Sequence, residues 1–276
     1  MAPIFCAWML LATPAQADGL TIHHDGHYLE IRGAKIPGGP VRINYLEAYC
    51  RAGSTDADWV KHTVVPHTCQ RLSPQGDSKV IRLRDTLADG LEVEHTITAH
   101  ADQITFDLVA KNPTAKRSEA HWAQPCVRLG PFTGFGAGFR GNLDDYLPKC
   151  FLFLDGKLTR MPTDNWAKKA HYTPGQVWVP RGVPREDANP RPLSPLIPSS
   201  GLIGCFSADE KIVLAMAWEP YQELFQGVAR CLHSDFRLGG LEPGTVRKIK
   251  GRIFIVTNDI PALVKRYQAD FPEHTP

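Results

Sequence analysis

Short runs of alternating apolar and polar residues, broken by Asp-Gly and similar turn pairs, recur along this chain. Leu91-Glu92-Val93-Glu94-His95-Thr96-Ile97-Thr98 alternates as a half-buried strand does, and Ile104-Thr105-Phe106-Asp107-Leu108-Val109 does so again. Asp25-Gly26 separates residues 20–24 from 27–31, and Asp155-Gly156 separates 151–154 from 157–159. Each pair predicts a hairpin, because those residues accept the positive φ angles of a tight two-residue turn. Residues 201–207 and 212–218 flank Ala208-Asp209-Glu210, and two further strands, 245–250 and 252–256, follow the bend at Gly239-Gly240. Consecutive strands without intervening helices predict an antiparallel meander, not a parallel α/β sheet.

Helix is scarce. One is predicted from Asn258 or Asp259, with Pro261 in its first turn and Leu263, Val264 and Tyr267 along its apolar side. A second, short one is predicted to be capped by Ser54-Thr55-Asp56 and to reach Trp59 and His62. Residues 160–200 break the pattern: eight prolines lie between Pro162 and Pro198, with Trp166, His171, Tyr172 and Trp178 among them. Proline removes backbone donors, so this stretch is expected to be an ordered wrapping loop or a flexible lid, or a loop covering a sheet edge, and not sheet core. No repeat and no linker divides the chain, and one domain over residues 18–276 is expected.

Residues 4–12 form a short apolar stretch, and Ala15-Gln16-Ala17 fits a signal-peptidase site. Residues 1–17 are therefore read as a signal peptide, with Asp18 first in a secreted or periplasmic protein, although no Lys or Arg precedes the apolar run. No later segment is apolar enough to cross a membrane. The charge is nearly balanced, 31 Lys+Arg against 29 Asp+Glu. That balance gives no reason to expect a nucleic-acid partner. Six of the seven cysteines follow the signal segment. Export permits disulfides among them, Cys50 with Cys69 being the preferred pair.

The Gly-rich stretch 130–141 lacks the Gly-Lys-Ser/Thr ending of a phosphate loop, and no Gly-x-Ser-x-Gly elbow is present. His23, His24 and His27 read as hairpin residues, since neighbours on a strand point to opposite faces. His233-Ser234-Asp235 sets two possible ligands on one face, too little by itself for a metal centre. No cofactor and no metal is expected. More telling is Trp218-Glu219, an apolar strand ending in a carboxylate beside an indole. Burial beside a ring raises a carboxyl pKa toward the range of a general acid or base. The structural alternative is a strand-end Glu in an ion pair. His121-Trp122 and His171-Tyr172 each join a proton-transfer group to a ring able to stack on a sugar.

Three segments resemble the galactose mutarotase-like supersandwich, the fold of aldose epimerases and of domains in several glycoside hydrolases and polysaccharide lyases. Asn112-Pro113-Thr114 followed by His121-Trp122 is similar to that family's Asn-x-Thr-Asp strand end and histidine-aromatic segment. Trp218-Glu219-Pro220-Tyr221-Gln222 looks like the stretch bearing its catalytic glutamate, and Leu241-Glu242-Pro243-Gly244 like its Leu-x-Pro-Gly turn. The resemblance implies an all-β, large antiparallel β-sandwich with few short helices. It implies a carbohydrate ligand, Glu219 as the base and His121 or His171 as the acid. Trp122, Trp166, Tyr172, Trp178, Arg128 and Arg140 are the expected substrate contacts. Three activities stay open: an epimerase-like isomerase, a lyase eliminating across uronates, and carbohydrate binding without turnover.

Overall fold

A computed structural model describes residues 19–55, 57–138, 145–163, 176–227 and 229–274. The expected signal segment and Cys6 lie outside them. A hairpin of β1 (Thr21–Asp25) and β2 (Tyr28–Arg32) leads into the long β3 (Val41–Arg51), a one-turn helix α1 (Trp59–His62) and β4 (Val64–Val65). A meander follows: β5 (His67–Arg71), β6 (Val80–Leu87), β7 (Glu92–Ala99) and β8 (Gln103–Lys111). Next come β9 (Ala120–Arg128), β10 (Cys150–Leu154), β11 (Lys157–Arg160) and β12 (Gln176–Trp178). The chain finishes with β13 (Ile203–Phe206), β14 (Ile212–Glu219), β15 (Tyr221–Gln226), β16 (Cys231–Arg237), β17 (Val246–Thr257) and helix α2 (Ile260–Asp270).

These strands make two antiparallel sheets. The first runs β1-β2-β3-β9-β16-β15-β12, with β4 also on β3; the second runs β11-β10-β13-β14-β17-β8-β7-β6-β5. The antiparallel strands expected from the alternation are present, and they form the expected all-β sandwich. One apolar core fills the space between the sheets, joining Ile43, Val127 and Phe236 of the first to Ile97, Phe106 and Trp218 of the second. β7 keeps strict alternation because only one of its faces is buried. β14 is buried at every position from Val213 to Trp218, because α2 packs Leu263, Tyr267 and Phe271 onto its outer side. Covering both faces turns an alternating strand into a continuous apolar run.

Three local expectations change. β17 is one strand through Gly251, not two. Gly251 stands opposite Trp218, and a β-carbon there would lie 2.4 Å from the indole, so the missing side chain makes room for the ring without ending the ladder. The cap of α1 is Asp58, whose carboxylate accepts from the Lys61 amide, in place of the Ser54-Thr55-Asp56 cap. The six described cysteines are free thiols. Cys50 packs with Ala48 and Trp122 on the outer side of the first sheet, whereas Cys69 belongs to the second sheet, so that pairing is not made.

The described part of the proline-rich stretch after residue 175 covers the outer side of the first sheet and, against expectation, also joins it. β12 adds to its edge beside β15, and Val177, Val179 and Ala188 close over Phe225. Among the described residues, no helix is long and apolar enough to cross a membrane.

Candidate functional site

Glu219 is the last residue of β14, where the strand leaves the core at Pro220. Its Oε2 lies 2.6 Å from His274 Nε2, and His274 Nδ1 lies 2.6 Å from the Tyr267 hydroxyl, which accepts the Gly201 amide at 2.9 Å. A neutral imidazole with its proton on Nε2 satisfies the whole chain: it donates to the carboxylate and accepts from the tyrosine. The Phe271 ring, parallel to the imidazole within 11° at 5.3 Å, fixes its plane. The Tyr221 ring meets the same imidazole edge-on at 5.0 Å.

This pair opens into a cleft of about 600 Å³ that is also lined by Arg181, Ser199, Tyr221 and Arg237. Arg181 is exposed. Arg237 donates to Asp187 at 3.0 Å and to Gln222. Burial, then the nearby Glu219 charge, pushes the Tyr221 phenol up. The imidazole comes from the C-terminal turn and not from either histidine singled out in the sequence. Nothing in Phe271-Pro272-Glu273-His274 marks it.

The structure places the other expected residues elsewhere. His121, on β9, has Nδ1 3.3 Å from Asp187 Oδ2, and burial pushes its pKa down. Among the described residues, Glu219 borders a cleft with His274 and another with Lys248 and Lys250, and His121 lines neither. Trp122 is fully buried, with its ring 6.5 Å from that of Trp59, and offers no face to a ligand. Trp178 is likewise fully buried, because the β12–β15 register turns it into the inter-sheet core. As sugar-stacking residues these two are corrected. His171, Trp166, Tyr172 and Arg140 lie outside the described residues. Arg128 lines a different cavity.

That second cavity, about 190 Å³, sits on the outer side of the first sheet between Trp59 and Phe225. Its floor is built from alternate residues of adjacent strands: Gln124, Cys126 and Arg128 on β9, and Cys231 and His233 on β16. Ligand atoms of Cys126, Cys231 and His233 all lie within 4.8 Å of one another. Cys231 Sγ is 3.5 Å from His233 Nε2, and His233 Nδ1 is 3.4 Å from Asp235 Oδ1. Glu223 stands beside Asp235 across the β15–β16 pair and accepts the Asn189 amide at 2.9 Å.

Titration here is strongly displaced. Burial and the Asp235 charge push Glu223 well above the carboxylate range, and burial raises Asp235 against the pull of His233. Burial works to lower His233, but the Asp235 carboxylate outweighs it and holds the imidazole up at about 10. The hydrogen bond from Cys126 holds the Cys231 thiol down, while burial pushes Cys126 up. Perturbed groups gathered at a cavity mark a candidate functional site. The signal in the sequence was Cys231-x-His233-x-Asp235, which is period two on one strand face. Its partner Cys126 was invisible until β9 paired with β16.

No family model and no curated protein matches the chain. Several solved structures are similar to it, two of them as follows. The Slr1438 protein from Synechocystis sp. PCC 6803 covers 91% of this chain and 100% of its own length at 10% identity, TM-score 0.45. The Escherichia coli K12 protein named "putative aldose 1-epimerase" covers 86% of this chain and 99% of its own length at 13% identity, TM-score 0.41. At those identities neither neighbour's chemistry transfers to this chain.

Proposed function

We propose that this chain is an exported protein that carries out acid–base chemistry on a sugar, with Glu219 as the base. The observation that carries the reading is the 2.6 Å contact of Glu219 with His274 at the edge of a cleft of about 600 Å³. A carboxylate accepts a proton from a substrate hydroxyl or carbon, and the imidazole beside it orients the carboxylate and passes protons. For epimerisation at an anomeric carbon, Glu219 takes the anomeric hydroxyl proton and an acid protonates the ring oxygen, so the ring opens with protons balanced. Among the described residues, His274 is the imidazole in contact with that carboxylate, which supports it over His121 as the proton carrier.

Arg181 and Arg237 favour a second form of the same reading. Two guanidinium groups at one cleft suit an anionic sugar: the exposed Arg181 draws it in, and a uronate carboxylate held by Arg237 acidifies the adjacent C–H. β-Elimination then removes that proton and expels the glycosidic oxygen, leaving a double bond.

Turnover on a panel of neutral sugars and uronates tests the proposal, by exchange between anomers in nuclear magnetic resonance and by absorbance of a new double bond. Glu219→Gln is expected to lower kcat roughly 10²- to 10⁴-fold with little change in Tm. Full activity in that variant would remove Glu219 from the mechanism. Parallel His274→Ala and His171→Ala variants decide which imidazole serves. N-terminal sequencing of the protein recovered outside the cytoplasm is expected to begin at Asp18.

A further inference from the structure

We propose that Cys126, Cys231 and His233 bind a thiophilic divalent cation of the zinc class, with one coordination position open to the cavity between Trp59 and Phe225. The inference is independent of the Glu219 cleft.

The distances fit the ion. Zinc sits about 2.3 Å from a thiolate sulfur and about 2.0 Å from an imidazole nitrogen, so tetrahedral geometry sets S and N about 3.5 Å apart. Cys231 Sγ and His233 Nε2 are 3.5 Å apart, and Cys126 completes a triangle whose edges are all within 4.8 Å. Adjacent antiparallel strands hold the three donors: Cys231 and His233 follow each other on one face of β16, and Cys126 projects from the same face of β9. None of the three is more than 2% exposed, so the donors are already stripped of water on the sheet side.

A second observation comes from behind the imidazole. His233 Nδ1 is buried without a hydrogen bond, 3.4 Å from Asp235 Oδ1. A metal on Nε2 fixes the tautomer that carries a proton on Nδ1 and turns this contact into a carboxylate–histidine–metal arrangement. The Phe225 ring, 4.8 Å from that of His233, limits how the imidazole can turn. On the opposite side lies the cavity, with Glu47 and Gln124 in its wall. Three protein donors and an accessible fourth position describe a site that can hold water or a ligand, not a closed structural one. Two sulfur donors and one nitrogen exclude calcium and magnesium, which take oxygen. Binding releases to solvent whatever protons the two thiols and His233 Nε2 carry, leaving two thiolates and a neutral imidazole protonated on Nδ1.

The test uses the full chain, reduced, stripped with a chelator and titrated with cobalt(II) under argon, with zinc as competitor. One equivalent of cobalt is expected, giving a thiolate charge-transfer band and the absorption of a tetrahedral centre, both abolished by zinc. Cys126→Ser and Cys231→Ser are expected to lose the charge-transfer band, and Cys205→Ser, a buried thiol in the other sheet, to keep it. Asp235→Asn is expected to keep the stoichiometry and weaken affinity roughly 10- to 100-fold. Glu219→Gln is expected to bind cobalt as the wild type does. Absence of the band in reduced wild-type protein overturns the proposal, as does equal loss in Cys205→Ser. Should the serine variants unfold, alkylation of the wild type decides: zinc protects Cys126 and Cys231 if the site is real, and protects neither if it is not.

Discussion

The hydroxyl of Tyr49 on β3 donates a hydrogen bond to Asp85 Oδ2 on β6 at 2.7 Å, joining the two sheets through the middle of the sandwich. His95 Nε2 lies 3.1 Å from the same oxygen, and Tyr45 closes the group through His95 Nδ1 at 2.7 Å. Burial alone would raise the Asp85 pKa, but the His95 and Tyr49 partners outweigh it and hold the carboxyl down at about 2. A depressed acid contributes stability that is present above its unfolded pKa and lost as pH falls through its folded one. The wild type is therefore expected to lose about 2 kcal/mol from this group between roughly pH 4 and pH 2. Denaturant titrations across that window are expected to be flatter for Asp85→Asn. Equal slopes in the two proteins would show that this carboxylate does not link the sheets electrostatically.

Trp218 and Gly251 set a second expectation. A β-carbon on Gly251 would fall 2.4 Å from the indole, which also packs on Phe106 and Phe236 at 5.0 Å each. Gly251→Ala must move a fully packed ring and is expected to cost about 1–3 kcal/mol, read as a fall in the denaturation midpoint. Gly136→Ala, where nothing lies within 4 Å, is the control and should stay within about 0.5 kcal/mol.

Asp187 fastens the proline-rich wrap. Its carboxylate takes Arg237 at 3.0 Å and the Gly53 amide at 3.1 Å, with His121 at 3.3 Å, and its carbonyl accepts from Gln222 at 3.0 Å. Arg237 is partly buried and would be left without its carboxylate, so Asp187→Ala is expected to cost about 1–3 kcal/mol. Limited proteolysis should then cut within residues 180–198 faster than in the wild type. His121→Ala is expected to loosen the same segment, so any loss of activity should follow the loss of protection. Activity that vanishes in His121→Ala while the segment stays protected would return His121 to the chemistry.

Arg181 gives a prediction about ligand charge. It lines the Glu219 cleft and is exposed, so it is suited to drawing in an anion without touching the reacting atoms. Arg181→Ala is expected to raise KM for a uronate by roughly 5- to 10-fold and leave KM for a neutral sugar unchanged, with kcat preserved in both. An equal rise for both sugars would assign Arg181 to the shape of the cleft instead of its charge.

What the sequence alone determined was local. Alternation over 91–98 and 104–109 specified the strands there, because a period of two is written into consecutive residues and needs no distant partner. Asp25-Gly26 specified its hairpin for the same reason, and Asp259 with Pro261 specified the start of α2. The prolines of 160–200 marked it as a covering segment, but gave no sign that residues 176–178 would add a strand to the sheet edge. Glu219 was legible as the end of a strand beside an indole.

Tertiary structure decided what faces what. His274 reaches Glu219 only because α2 folds back across β14, and that depends on packing against Phe254 and Ala217, not on any motif near residue 274. Trp178 is core and not ligand wall because a strand register, which a shift of one residue would invert, turns it inward. Cys126 meets Cys231 and His233 because β9 lies beside β16, a pairing between segments distant along the chain. Side-chain alternation is a property of neighbouring residues, so it can be read directly. Which strand lies alongside which is settled by burying the whole apolar surface at once, and the chemistry of both candidate sites depends on that second outcome.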